Sequence, residues 1–225
     1  GAEGPAAAVV ADLRLMAMRG FDLPATIPLF ALPGAVLMPR ASLPLHLFEP
    51  RYLQMLDDTL KTPDRLIGMI QPMGDGLARI GCAGRVVMFS ETGDGRMDIV
   101  LRAVSRFSLG GVEDGFTPYP RGRIAWTGFA PDRDSTSPTD PGLDRDAMLD
   151  RLSRYMQARE LSTDWEAARE ADDEMLVNSL SMLLPFSPEE KQALLEAETL
   201  PARREMLDGL LEYALHGGDE EETVH

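Results

Sequence analysis

The spacing of hydrophobic positions changes partway along this chain and divides it in two. Up to about Ala130, apolar residues fall in short runs closed by turn-forming residues: TIPLFAL ends at Pro33-Gly34, ASLPLHLFE at Pro50 and RLIGMIQP at Pro72. ARIGCAGRVVMFSE and RMDIVLRAVSRFSL flank TGDG, a sequence suited to closing a hairpin, and RGRIAWTGFA follows. The pattern predicts β structure with at least six strands. A closed or partly closed barrel is the economical way to remove exposed edges from that many strands.

One prominent helix is predicted inside this half. Leu43, Leu45 and Leu47 alternate onto one strand face, whereas Tyr52, Leu53, Leu56 and Leu60 follow helical spacing. Between them stands Glu49-Pro50-Arg51. Pro50 cannot donate a ladder hydrogen bond, holds Glu49 extended, and suits the first turn of a helix. Glu49 is expected where the positive end of the helix dipole favours a carboxylate. Glu49 and Pro50 are therefore assigned to a strand-to-helix joint, in preference to an active-site role for Glu49 or Arg51.

Beyond PDRDSTSPTDPG, a Pro/Ser/Asp-rich linker over residues 131–142, the period becomes 3.6. Leu149, Leu152 and Met156 share one helix face. A second helix is predicted from Thr163, with Thr163 and Glu166 forming a capping box; it buries Leu176, Leu180, Leu183 and Leu184 and stops before Pro185. Ser187-Pro188-Glu189-Glu190 is the strongest helix start in the chain. A last helix places Leu207, Leu210, Leu211 and Ala214 inward and ends at Gly217-Gly218. The predicted organisation is α+β: an N-terminal extension (1–24), a β-barrel (25–130), the linker (131–142), a helical bundle (143–217) and a frayed acidic tail (218–225).

Composition leaves this picture intact and narrows the function. With 225 residues, 44% hydrophobic and 26% charged, the chain is long enough to bury a real core. Its single cysteine, Cys82, excludes an internal disulfide and fits a reducing compartment. The N-terminal PAAAVVADLRLMAMRG is interrupted by Asp12 and Arg14, a poor signal peptide and too short a span for a membrane. A cytoplasmic protein without a membrane partner is expected. The net charge of −15 is unevenly placed: residues 1–130 carry 13 acidic and 13 basic side chains, residues 131–225 carry 24 and 9. An acidic face that keeps the protein soluble is the simpler account, and nucleic acid is disfavoured because its binding requires clustered cations.

Catalytic signatures are not found. His46, His216 and His225 have no second His or Cys at ligand spacing. Cys82 lies between apolar neighbours with no cation beside it and is expected to be a small buried residue. The run EADDE, Glu170 to Glu174, is placed on a solvated helix face. The two lysines, Lys61 and Lys191, follow no glycine, so a phosphate loop is impossible; Gly74-x-Gly76 and Gly93-x-Gly95 lack the rest of a dinucleotide site. No catalytic residue, metal or cofactor is assigned.

Three patches resemble a known family, the N-terminal substrate-recognition domain of Lon proteases. IPLFALPGAVLMPRASLPLHLFEPRY (Ile27 to Tyr52) is similar to the family's opening pattern of L-P-L-F-x-L, V-L-x-P and P-L-x-x-F-E-x-R-Y. RIGCAGRV (Arg79 to Val86) and RAVSRFSL (Arg102 to Leu109) resemble its later strands, and PFSPEEKQALLEAETLPARREMLDGLL (Pro185 to Leu211) its helical segment around E-K-Q-x-L-L-E. The likeness covers about residues 25–215. It implies a PUA-like barrel followed by helices, and recognition of polypeptide segments. The chain departs from the pattern in carrying Arg40 where the family has glycine after the proline, and its two lysines leave no place for the family's ATPase or Ser-Lys protease. A stand-alone member without those domains is expected.

The leading expectation is thus a non-catalytic module that binds exposed apolar segments of unfolded or client proteins and delivers them to a protease or chaperone. Phe48 and Tyr52 near the joint and Met73 in QPMGDG are candidate lining residues; Arg51 and Arg106 are candidate anchors for peptide carbonyls or carboxylates, with pairing to Glu49 as the competing role. Thirteen methionines suit adaptable apolar recognition, although most are expected to fill cores. The alternatives are a PUA-like RNA-binding domain, which a basic groove would favour, and a hydrolase assembled from distant segments.

Overall fold

The computed structural model describes residues 23–221, which form an α+β fold. The N-terminal extension therefore lies almost entirely outside the described residues, as does the end of the acidic tail. The strands are β1 (Thr26–Ala31), β2 (Ser42–Leu47), β3 (Leu66–Ile70), β4 (Pro72–Met73), β5 (Gly76–Leu77), β6 (Ile80–Glu91), β7 (Met97–Glu113) and β8 (Arg121–Ala125). The helices are α1 (Pro50–Leu60), α2 (Arg145–Ala158), α3 (Trp165–Glu170), α4 (Asp173–Leu183), α5 (Pro188–Glu196) and α6 (Leu200–Glu221), with a 3-10 turn at Ala130–Arg133.

The main sheet runs β2-β7-β6-β3-β1-β8, and β8 returns to β7, so five strands close into a ring with β2 attached outside it. The long strand β7 makes this possible: its first part pairs with β2, from Met97 to Arg102, and its last part with β8, from Ser108 to Glu113. All pairings are antiparallel except β1 with β3, between which the chain passes through β2 and α1. Phe107 fills the ring beside Ile27 and Leu29. Gly81 makes room for it: a Cβ there would lie 2.6 Å from the Phe107 ring. TGDG turns the β6–β7 hairpin, with Gly95 at φ 80°.

Local signals set the helices, with several departures from expectation. Ser187 and Glu190 form the expected capping box. Thr163 and Glu166 do not: Asp164 caps α3 instead, accepting from Ala167 N at 3.1 Å, because aspartate is the stronger cap of the two adjacent candidates. The predicted second helix is broken at Ala171–Asp172, and Asp172 caps a separate α4 by accepting from Met175 N at 2.7 Å. On α4, Leu176 is buried but Leu183 is 76% exposed, correcting its inward placement. The EADDE run straddles this break and is no solvated face: Glu174 is buried against Arg40, and Asp173 accepts from Arg145 and from Asp140 N. The last helix continues through Gly217 and Gly218 to Glu221.

The stretch 131–142 is an ordered strap. Asp132 binds Arg106 of β7, and Asp140 binds Arg204 of α6, with both carboxylates buried. One hydrophobic cluster joins Phe30, Leu47, Tyr52 and Leu101 of the β-rich half to Leu152, Val177, Leu194 and Leu207 of the helices.

Candidate functional site

Strand β2 ends at Leu47 and α1 begins at Pro50, so Glu49-Pro50-Arg51 is the joint between them. Leu43, Leu45 and Leu47 turn towards the core, while Ser42, Pro44 and His46 are exposed. Glu49 is the N-cap residue, but its backbone alone does that work: its carbonyl accepts from Tyr52 N and Leu53 N, and its side chain makes no cap bond. The carboxylate bonds Arg51 Nε at 2.9 Å instead, at the surface. The carboxylate expected at the positive end of the helix thus makes an exposed ion pair and no cap bond.

The joint walls a cleft of about 270 Å³, lined chiefly by Phe30, Leu32, Leu45, Phe48 and Tyr52. The Phe30 and Tyr52 rings lie 4.3 Å apart at its floor, and the Arg51 guanidinium sits 4.6 Å above the Tyr52 ring. Burial pushes the Tyr52 phenol up from its ordinary range, with Arg51 acting against the shift. Phe48 projects outward, 58% exposed, with the Arg96 guanidinium 6.0 Å from its ring. The charged rim is internally paired: Arg51 with Glu49, and His46 Nδ1 with Asp98 at 2.7 Å. An apolar floor with a mutually satisfied rim suits an apolar guest better than a phosphate.

Phe48, Arg51 and Tyr52 are thus brought together, and the other two candidates are not. Met73 lies in the β4–β5 hairpin, half-buried against the core inside the ring. Arg106 is buried: it binds Asp132 through Nε and Nη2 and donates through Nη1 to the carbonyls of Leu195 and Ala197. Every one of these contacts is internal, so Arg106 joins β7 to the helices and is no anchor for a peptide.

The sequence reading missed an exposed apolar group on the same ribbon. Past a β-bulge at Val86/Met88, the end of β6 carries Val87, Met88 and Phe89, each about half exposed. Phe89 pairs with Ile99, which also faces Leu45, whereas Met88 and Pro44 flank Val100 on the opposite face. The signal was present: four consecutive apolar residues, Val86 to Phe89, break the alternation of a half-buried strand.

A second cleft, of about 330 Å³, opens at the other end of β2 between Pro39–Ser42, Arg102 and α4, with Met175, Met182 and Leu183 on its apolar side. Arg40 forms part of its wall and holds Glu174 through two bonds, at 2.6 and 3.0 Å. Cys82 is wholly buried, and burial pushes its thiol far up, which leaves it inert. Among the described residues no three His, Cys, Asp or Glu side chains gather as a metal site, and no helix is long and apolar enough to cross a membrane.

A ring of strands built on a parallel β1–β3 pair, an outer β2 leading through Phe48-Glu49-Pro50 into α1, and a helical C-terminal half together define the α+β architecture that holds these clefts. The chain belongs to the family described as the ATP-dependent protease La (LON) substrate-binding domain, which it matches over residues 26–212. The matched part of that protease is non-catalytic, a substrate-recognition module. In sequence the chain is similar to Lon protease 2 of Sorangium cellulosum (strain So ce56), 28% identical over 109 residues, covering 44% of this chain and 13% of that protein. Among solved structures it resembles the Lon N-terminal domain protein from Xanthomonas campestris, with TM-score 0.61 and 24% identity, covering 83% of this chain and 98% of that one. It also resembles the N-terminal domain of Mycobacterium avium complex Lon protease, with TM-score 0.58 and 16% identity over 84% and 97% of the two chains. At those identities the two structures establish a shared fold.

Proposed function

We propose that this domain binds exposed apolar segments of unfolded or client polypeptides and presents them to a protease or chaperone, with the β2–α1 cleft and the end of the β6 ribbon as the contact surface. The observation that carries the proposal is Phe48, 58% exposed at the mouth of an apolar cleft, with the half-exposed Phe89 on the face of the β6–β7–β2 ribbon that it shares with the cleft-lining Leu45. Flexible and aromatic side chains of this kind accommodate varied sequences without one optimised pocket. Family membership supports the same role.

The test is a titration of a fluorescent unfolded polypeptide against the wild type and Phe48→Ala. Phe48 is mostly solvated, so the variant should keep its stability and bind about tenfold more weakly. Binding of the wild type should vary little between low and physiological salt, since no phosphate contacts are involved. Tight, steeply salt-dependent binding of single-stranded RNA with no response to polypeptide would replace this function with the nucleic-acid alternative.

A further inference from the structure

The two clefts share one wall. Pro39–Ser42 line the first and Pro44–Phe48 the second, so together they follow β2 along its whole length. That strand pairs with β7 on one side only, and among the described residues no strand covers its other edge. The carbonyl of Ala41 accepts from Ala103 N and so faces β7. In an antiparallel ladder successive residues turn their main chains to opposite sides. Leu43, Leu45 and Leu47 accordingly direct theirs to β7, while Ser42, Pro44 and His46 direct theirs to the free edge. Pro44 fits this alternation, since its missing N–H falls where β7 needs none.

We infer that an extended polypeptide C-terminus adds antiparallel to the free edge of β2, with its carboxylate on Arg102 and its apolar side chains in the two clefts. The inference rests on the proposed function and names the part of the client that is read. Charge selects this occupant. Of the cationic side chains lining the clefts, Arg40 holds Glu174, Arg51 holds Glu49, and His46 bonds Asp98. Arg102 alone has no carboxylate partner among the described residues; it is exposed, lines the first cleft and lies directly across from Ser42. Of the two carboxylates beside it, Glu174 is held by Arg40 and Asp172 accepts the Met175 N–H. A carboxylate at Arg102 fixes the direction of the guest: its chain runs from beside Phe48 to a C-terminus beside Ser42, opposite to β2. Six strand residues give an edge of about 20 Å, room for about six guest residues. Ser42 and His46 each offer an N–H and a C=O, and Pro44 a carbonyl only, so the main-chain bonds recur at every second guest residue.

The test uses a fluorescein-labelled apolar hexapeptide as its free acid, its C-terminal amide, and a series singly N-methylated at each position, titrated against wild type, Arg102→Gln and Phe48→Ala. The expected result is acid binding about fivefold or more tighter than amide, a preference that disappears in Arg102→Gln, and N-methylation that weakens binding at alternate positions only. Because Arg102 is exposed and unpaired, Arg102→Gln should melt with the wild type. Acid and amide binding equally well would overturn the inference; if both were still weakened by Phe48→Ala, the proposed function would stand without it. An N-methyl scan without alternation would overturn the strand addition. Failure of every peptide to bind would overturn both.

Discussion

Arg40 holds φ 58°, a left-handed backbone conformation that costs a non-glycine residue about 1 kcal/mol or more. What offsets the cost is its guanidinium, which takes both oxygens of the buried Glu174 and donates to the carbonyls of Pro131, Asp132 and Asp134. The residue thereby ties the β2 turn to the strap and to α4. Arg40→Gly should relieve the strain yet leave Glu174 buried without a partner, for a net loss of about 2–4 kcal/mol in chemical denaturation. Adding Glu174→Gln should recover part of that loss; a neutral Arg40→Gly would show that the clamp carries nothing. Glu49 gives the contrast. Its ion pair with Arg51 is exposed and caps no N–H, so Glu49→Ala should shift stability by no more than about 0.5 kcal/mol.

At the scale of elements, α5 shows which signals a sequence exposes. Its N-terminus is closed by Ser187 and Glu190, three residues apart, and Ser187→Ala should cost about 1 kcal/mol by denaturant midpoint. Its C-terminus is closed from outside: Arg106 of β7 donates to Leu195 O and Ala197 O, and Arg203 of α6 to Leu194 O and Ala197 O. Two cations at the negative end of a helix dipole are favourable, but their distance along the chain hides them from any local pattern. The same holds for Lys191, which joins Met182 O at the end of α4 to Gly34 O beyond β1. The Ser187–Glu190 capping box, the hairpin turn and the strand-to-helix joint were legible because their partners are neighbours; Arg106 was misassigned because nothing near it names Asp132. A bond between Tyr119 and Asp58, 2.6 Å long, couples the loop before β8 to α1 and adds a pH dependence. It is the main cause holding the Asp58 carboxyl below its ordinary 3.8, whereas burial, then Asp58, pushes the Tyr119 phenol from 10.0 up to about 12. The Asp58 part of this stability is present above the unfolded value and is lost as pH falls through the lower folded one. The Tyr119 part is present below pH 10 and is lost as pH rises towards 12. Tyr119→Phe should lose about 1.5 kcal/mol at neutral pH and show flatter stability at both limits.

Across the whole molecule, the charge division marks no physical seam. The strands contribute to two cores at once: β1 sends Ile27 and Leu29 into the ring and Phe30 to the cluster shared with the helices. Opening either half exposes the other's buried surface, and Arg106 of β7 crosses the same boundary, pairing with Asp132 of the strap and donating to the carbonyls of Leu195 and Ala197 at the end of α5. Unpairing a buried ion pair without hydrating both partners is costly, so partial opening is disfavoured further. The two halves should therefore unfold as one cooperative unit. The chain carries its own reporters, since its two tryptophans fall one in each half. Trp126 follows β8, packs edge-on to Phe107 and donates to Pro24 O; Trp165 opens α3 against the helical side of the shared cluster. In Trp126→Phe and Trp165→Phe, the remaining fluorescence tracks the helices and the ring respectively. Each variant's fluorescence midpoint in urea should coincide with its own far-ultraviolet circular dichroism midpoint and with a single slope. In Trp165→Phe, circular dichroism of the helices lost at lower urea than the ring fluorescence would mean that the halves are separately stable and that the strap only tethers them.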